Sequence, residues 1–161
     1  MTAELHRPVP ADRVGSGRLD VTVEATATEC AALARRMHVP EVQALQCSFR
    51  LRRLTTDCIL AEGRLRARVV QTCVVSLDDF TAEIDEHFRV RFVPAGQESD
   101  DPDPEADDEI GYTAGALDLG EAAAEQLALV LDPYPRAPGA ELPEVESDGQ
   151  EHPFAALRRR H

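Results

Sequence analysis

Three long runs in the first hundred residues alternate apolar and polar side chains, and that period of two suits a half-buried strand and not a helix. "EVQALQCSFRLRRL" (41–54) sets Leu45, Cys47, Phe49 and Leu51 on one face, with Gln46, Ser48, Arg50 and Arg52 on the other. After the turn "TTD", "CILAEGRLRARVVQTCVV" (58–75) sets Leu65, Ala67, Val69, Gln71, Cys73 and Val75 against Arg64, Arg66 and Arg68. "FTAEIDEHFRVRFV" (80–93) then sets Phe80, Ala82, Ile84, Phe88, Val90 and Phe92 against Thr81, Glu83, Asp85, His87, Arg89 and Arg91. A shorter run, "RLDVTVEA" (18–25), precedes them with the same alternation. Consecutive strands on short links imply an antiparallel meander, one face packed and one wet. Gly63, inside the second long run, predicts a bulge.

The period changes twice. Thr26 and Glu29 stand at capping-box spacing ahead of Cys30, Leu33, Ala34 and Met37, which predicts a helix over 27–37 ended by "HVP". Asp118 and Glu121 repeat that spacing ahead of "LGEAAAEQLALVL". Its apolar stripe is Leu119, Ala123, Leu127, Val130 and Leu131, and Pro133 and Pro135 end it. The fold class that follows is α+β: an antiparallel sheet of four to five strands with two main helices on its apolar face. At 161 residues one domain is expected. Its outlying parts are a flexible N-terminal segment (1–17), an acidic disordered loop (94–109), a polar linker (137–151) and a C-terminal tail (152–161). Trp is absent, so Leu, Val, Ala and Phe must fill the core.

The charge of −13 is unevenly placed. Residues 1–93 balance to zero, residues 94–151 hold 17 acidic side chains against Arg136 alone, and Arg158, Arg159 and Arg160 close the chain. Such a chain does not coat nucleic acid by bulk charge, because phosphate neutralisation needs clustered cations. All 17 basic residues are arginine, which reads as the codon bias of a GC-rich genome. No apolar stretch reaches the roughly 18 residues of a membrane span. The opening "MTAELHRPVPADR" has no hydrophobic signal region, so a cytoplasmic protein is expected. Cys30, Cys47, Cys58 and Cys73 form no CxxC or CxxH pair, and read there as reduced, buried thiols.

Several residues stand out as candidates for function. Cys73 shares its face with Leu65, Ala67, Val69 and Val75, so its thiol should point into the core, with a raised pKa and low reactivity. None of the five histidines sits in a partner motif for it. Gln71 beside it is a buried amide that must find a partner, such as exposed backbone at a bulge or a docking loop. The sharper feature is the arginine stripe Arg50, Arg52, Arg64, Arg66 and Arg68, extended by Arg89 and Arg91. Two readings are open: a grip on RNA phosphates or an acidic partner, or cross-strand pairing with Asp20, Glu24, Glu83 and Asp85. The acidic run "QESDDPDPEADDE" is either a solvated linker or a holder of a basic protein. "DPYPR" (Asp132, Pro133, Tyr134, Pro135, Arg136) is either a docking motif or a helix stop, and "PFAAL" with Phe154, followed by "RRR", reads as a short amphipathic anchor. No Walker loop, GxGxxG, HExxH, GxSxG or zinc-knuckle spacing occurs, and no catalytic residue, metal ligand or cofactor is assigned.

Taken in order, four pieces resemble the YceD family, named for accumulation of 23S ribosomal RNA: "GRLRARVVQTCVVSL", "FRVRFVP" before an acidic loop, "LDLGEAAAEQLALVLDPYPRAPGA" and "HPFAAL". The single cysteine in "VVQTCVV" resembles the alphaproteobacterial branch. The resemblance implies a small cytoplasmic, non-catalytic factor in synthesis, processing or stability of large-subunit ribosomal RNA. Its partner would be a ribosomal RNA precursor or a large-subunit ribosomal protein. Many family members carry a CxxC-like pair where this chain has Val70 and Cys73, and a His/Cys cluster where it reads "PYPRAPGA". A zinc site built from those residues elsewhere in the family has no counterpart here, which makes Cys73 the core-packed survivor of a pair.

Overall fold

The computed structural model describes residues 3–100 and 103–142. Its strands are β1 (Pro8–Pro10), β2 (Leu19–Glu24), β3 (Glu41–Arg53), β4 (Ile59–Thr72), β5 (Asp79–Pro94), β6 (Asp108–Tyr112) and β7 (Ala116–Asp118), and its helices are α1 (Ala27–Met37) and α2 (Leu119–Val130). The main sheet has the order β2-β3-β4-β5-β6, and β1 pairs with β7 in a second, two-stranded sheet. Both alternating hairpins formed as the pattern requires. β3 pairs antiparallel with β4 from Glu41↔Val70 to Arg53↔Ile59, and β4 with β5 from Thr72↔Asp79 to Ile59↔Phe92.

One pairing departs from the meander. β6 runs parallel to β5, with Val90 opposite Asp108 and Pro94 opposite Tyr112. A parallel neighbour needs a return connection of about a dozen residues, and the acidic segment supplies it. The segment expected as a loop over 94–109 is therefore strand at both ends, since Pro94 closes β5 and Asp108 and Glu109 open β6. Between them, among the described residues, backbone N–H groups of Gly96 and Glu105 bond the carboxylates of Glu98 and Asp103.

α1 starts on the full capping box: Thr26 accepts from the Glu29 backbone, and the Glu29 side chain accepts from the Thr26 N–H. It ends at His38, which takes the left-handed conformation at φ 55°. α2 is capped by Asp118, whose carboxylate accepts from the Gly120 and Glu121 N–H groups. Both helices lie on the apolar face, where Leu45, Cys47, Phe49, Leu51, Leu65, Val69 and Phe92 join Leu33, Leu119 and Leu127 in one core.

Two sequence expectations change. Residues 3–17 are not a loose lead-in: Leu5, Val9, Ala11 and Val14 are all core, and the backbone passes so close to α2 that a side chain at Gly120 would strike Leu5 and Arg7. Gly63 marks no bulge. It keeps register between Phe49 and Phe88, and the Phe88 ring fills the space a Cβ would take. The two rings meet edge-to-face at 5.8 Å across it, as aromatics do over a sheet glycine. The register shift lies instead between Val42 and Ala44.

Candidate functional site

The wet face of the sheet carries the arginine stripe, and register decides its form. Across β3 and β4, Ser48 stands opposite Arg64, Gln46 opposite Arg66 and Ala44 opposite Arg68, while Arg50 faces Glu62 and Arg52 faces Leu60. The five arginines thus form one oblique row, in which Arg50 and Arg64 are diagonal neighbours across the hairpin and line the same cleft. On the other side β5 sets His87, Asp85 and Glu83 opposite Arg64, Arg66 and Arg68.

Carboxylates answer most of the cations. Arg64 grips Asp85 through Nε and Nη2 at 2.8 and 2.7 Å, and Arg68 reaches Glu83 at 2.8 Å. Arg50 stands 3.8 Å from Asp20, Arg89 3.4 Å from Asp107, and Arg91 3.5 Å from Glu109. The Arg64 guanidinium holds Asp85 below the usual carboxylate range. Among the described residues Arg52 and Arg66 make no ion pair. Leu60 points to this wet face yet is 3 % exposed; in register it lies between Arg52 and Arg91, whose hydrocarbon stems suit such cover. A cleft of about 870 Å³ opens on the face, lined among others by Thr22, Ser48, Arg50, Arg64 and His87, with Asp107 of the acidic segment at its rim. Solvent screens exposed pairs of this kind, so the pairing does little for stability. Its main effect is to balance the charge of the face where it stands.

A second group of candidate residues gathers at the far end of β4. Gln71 is buried, and its Nε2 donates to the Asp132 carbonyl at 3.3 Å, fixing the loop after α2 to the sheet. The Val74 N–H donates to the Pro135 carbonyl at 2.9 Å, a second tie to the same loop. Cys73 is fully buried in the turn after β4, and its Sγ accepts from the Ser76 backbone N–H at 3.4 Å. The Ser76 hydroxyl, then the N–H groups of Ser76, Ala137 and Val75, hold the thiol down to about 7. Burial alone predicted a rise; the hydrogen bonds outweigh it. Cys47, buried with no such donors, is pushed up to about 12. The partner position of the Cys73 sulfur is 76, across the turn; Val70, at the odd spacing of three residues, belongs to the opposite face of the sheet from Val69 and Gln71. Cys58 is half-exposed, unlike the other three cysteines, and all four are free thiols.

Of the "DPYPR" residues, Asp132 Oδ1 accepts from the Tyr134 N–H at 2.9 Å, and the Tyr134 ring is 73 % exposed. Pro133, Pro135 and Arg136 continue the loop that Gln71 and Val74 hold. Leu77, in the neighbouring turn, is 76 % exposed at φ 62°, a conformation side chains rarely adopt. Phe154 lies outside the described residues.

Sequence reasoning missed the arginines that lock the N-terminal segment. Arg7 holds Glu29 at 2.7 and 2.8 Å, and Arg36 bridges Glu4 and Glu121. Arg53 donates to the carbonyls of Val14 and Ala11. These pairs link positions tens of residues apart, and no local spacing marks them. No three His, Cys, Asp or Glu side chains converge as a metal site among the described residues, and no helix there is long and apolar enough to cross a membrane.

These features define a small α+β protein whose distinguishing surface is an open, charge-paired sheet face beside an acidic connection. Its family is then plain. The chain belongs to the family described as Large ribosomal RNA subunit accumulation protein YceD, whose model matches residues 61–158. The match takes in β4, β5, the acidic connection, α2 and the segment beyond it. No curated protein and no solved structure matches the chain.

Proposed function

We propose that this protein supports the accumulation of large-subunit ribosomal RNA as a non-catalytic cytoplasmic binding factor, and that it holds a basic large-subunit ribosomal protein in preference to RNA phosphates. The observation that carries this is the pairing of Arg50, Arg64, Arg68, Arg89 and Arg91 with carboxylates on or beside the same face. A face balanced in this way offers little net cation for condensed phosphates. The rest of the charge is negative, concentrated over residues 94–151, and it suits the Lys/Arg-rich surface of a ribosomal protein before RNA covers it.

A second reading, direct RNA contact, is favoured by the cleft and by the unpaired Arg52 and Arg66. Exposed pairs break at little cost, so a phosphate chain can replace Asp85 or Glu83. Sucrose-gradient fractionation of tagged protein, with crosslinked RNA and protein identified, separates the two. Changing Asp100, Asp103 and Glu105 to their amides should lower association with immature large subunits severalfold. Changing Arg50, Arg52, Arg64, Arg66 and Arg68 to serine should leave association in place. Loss in the serine variant, together with loss of crosslinks to the large-subunit RNA, overturns the protein-holding reading in favour of RNA. Deleting 98–109 is a poorer test, because Asp108 and Glu109 are part of β6.

A further inference from the structure

β5 is covered unequally. β6 pairs only with its last five residues, Val90–Pro94, so among the described residues the outer edge from Asp79 to Arg89 has no strand beside it. The apolar face of that stretch is incompletely covered as well. Phe80, Ala82 and Ile84 are only half-buried, and with Val130 and Pro135 they line an open groove of about 500 Å³. Glu83, Asp85 and Glu86 stand along the groove, and Glu86, on the core side of the strand, faces solvent among the apolar residues.

We infer that this groove is the seat of the chain's own C-terminal segment, with Phe154 and Leu157 in the apolar floor and Arg158, Arg159 and Arg160 beside Glu86, the β5 carboxylate that neither Arg64 nor Arg68 engages. Three observations carry it. The segment "PFAALRRR" has the required chemistry in the required order, an apolar pair followed by three cations. At i, i+3 spacing Phe154 and Leu157 share one side of a helical turn, and Ala, Leu and Arg favour helix behind a first-turn proline. The reach is sufficient. Arg136 lines the groove, and residues 137–152 span roughly 20 Å as a flexible chain and up to roughly 50 Å when extended. Finally, the family match runs without a break from β4 through Arg158. A tether of this length keeps the segment at millimolar effective concentration, on the order where a small apolar contact suffices.

The absence of Trp makes the test direct, because Phe154→Trp creates a single fluorescent reporter in the full chain. Its emission should lie at shorter wavelength than that of a peptide of residues 150–161 with the same substitution. The shift should be lost in Ala82→Glu, and weakened by Glu86→Arg and by high salt. Circular dichroism identifies which variants remain folded. Glu86 is exposed, so its variant preserves the test if Ala82→Glu unfolds the sheet. Emission equal to the free peptide overturns the inference, as does a shift that survives in the folded groove variants. A shift that grows with protein concentration places the segment on a second copy and overturns the intramolecular seat.

Discussion

At the scale of single residues, Glu29 carries the clearest electrostatic consequence. Arg7 donates to both its oxygens, the Thr26 N–H donates as well, and together they hold the carboxyl down to about 2. A group whose pKa is depressed in the fold stabilises above its unfolded value and loses that effect as pH falls through the folded one. Urea unfolding of Glu29→Gln should therefore show a loss of about 1 kcal/mol at pH 7. That difference should shrink between pH 4.5 and pH 2, the interval between the ordinary and the folded value. Gly63 is the second such residue. Gly63→Ala drives a Cβ into the Phe88 ring, and overpacking of this kind costs about 1–3 kcal/mol. An unchanged urea midpoint would show that Phe88 swings away freely.

Elements depend on ties that span the chain. Asp118 caps α2 through Gly120 and Glu121, yet the same carboxylate accepts from the Arg7 N–H at 2.9 Å and contacts His6 Nδ1 at 2.5 Å. The cap thereby joins β1 and β7 to the start of the helix. Asp118→Ala should cost about 2 kcal/mol in thermal or urea unfolding, above an ordinary cap because the N-terminal strand is released with it. Asp118→Asn should recover more than half of that loss, since the amide oxygen still caps. Equal losses in the two variants would assign the effect to charge alone. The helices themselves were legible from spacing, with α1 ending at the expected Met37 and starting on the expected box. β1, β6 and β7 were not, because strands of three to five residues are too short to show a period.

The whole molecule separates its charge. On one face of the sheet five of the seven arginines are paired with carboxylates, while the excess of acidic residues lies in the sequence over 94–151. An acidic surface of this sort attracts a basic partner over about one Debye length, near 8–10 Å at physiological salt. Association with immature large subunits should accordingly weaken as ionic strength rises, and insensitivity to salt in the same gradients would count against an electrostatic hold. The groove along β5 shares Glu83 and Asp85 with the arginine row, so the tail is tested by the Trp reporter and the partner separately by the gradients.

Local pattern determined the four longer strands of the sheet, both helices and their caps, and the inward residues of β3, β4 and β5, because a period is a property of neighbours and survives without knowledge of the fold. It also carried the family resemblance, since the matching pieces are themselves local. Tertiary structure alone decided what those pieces do together. Register, a relation between strands, set Arg50 diagonally beside Arg64 and placed Asp85 and Glu83 opposite Arg66 and Arg68. The pKa of Cys73 fell because a turn and a distant loop aim hydrogen-bond donors at its sulfur. The N-terminal segment entered the core by burying Leu5, Val9, Ala11 and Val14, with Arg7 and Arg53 tying it to residues remote in sequence. Each of these rests on contacts between residues remote in sequence, and alternation within a strand holds no information about which neighbour it will meet.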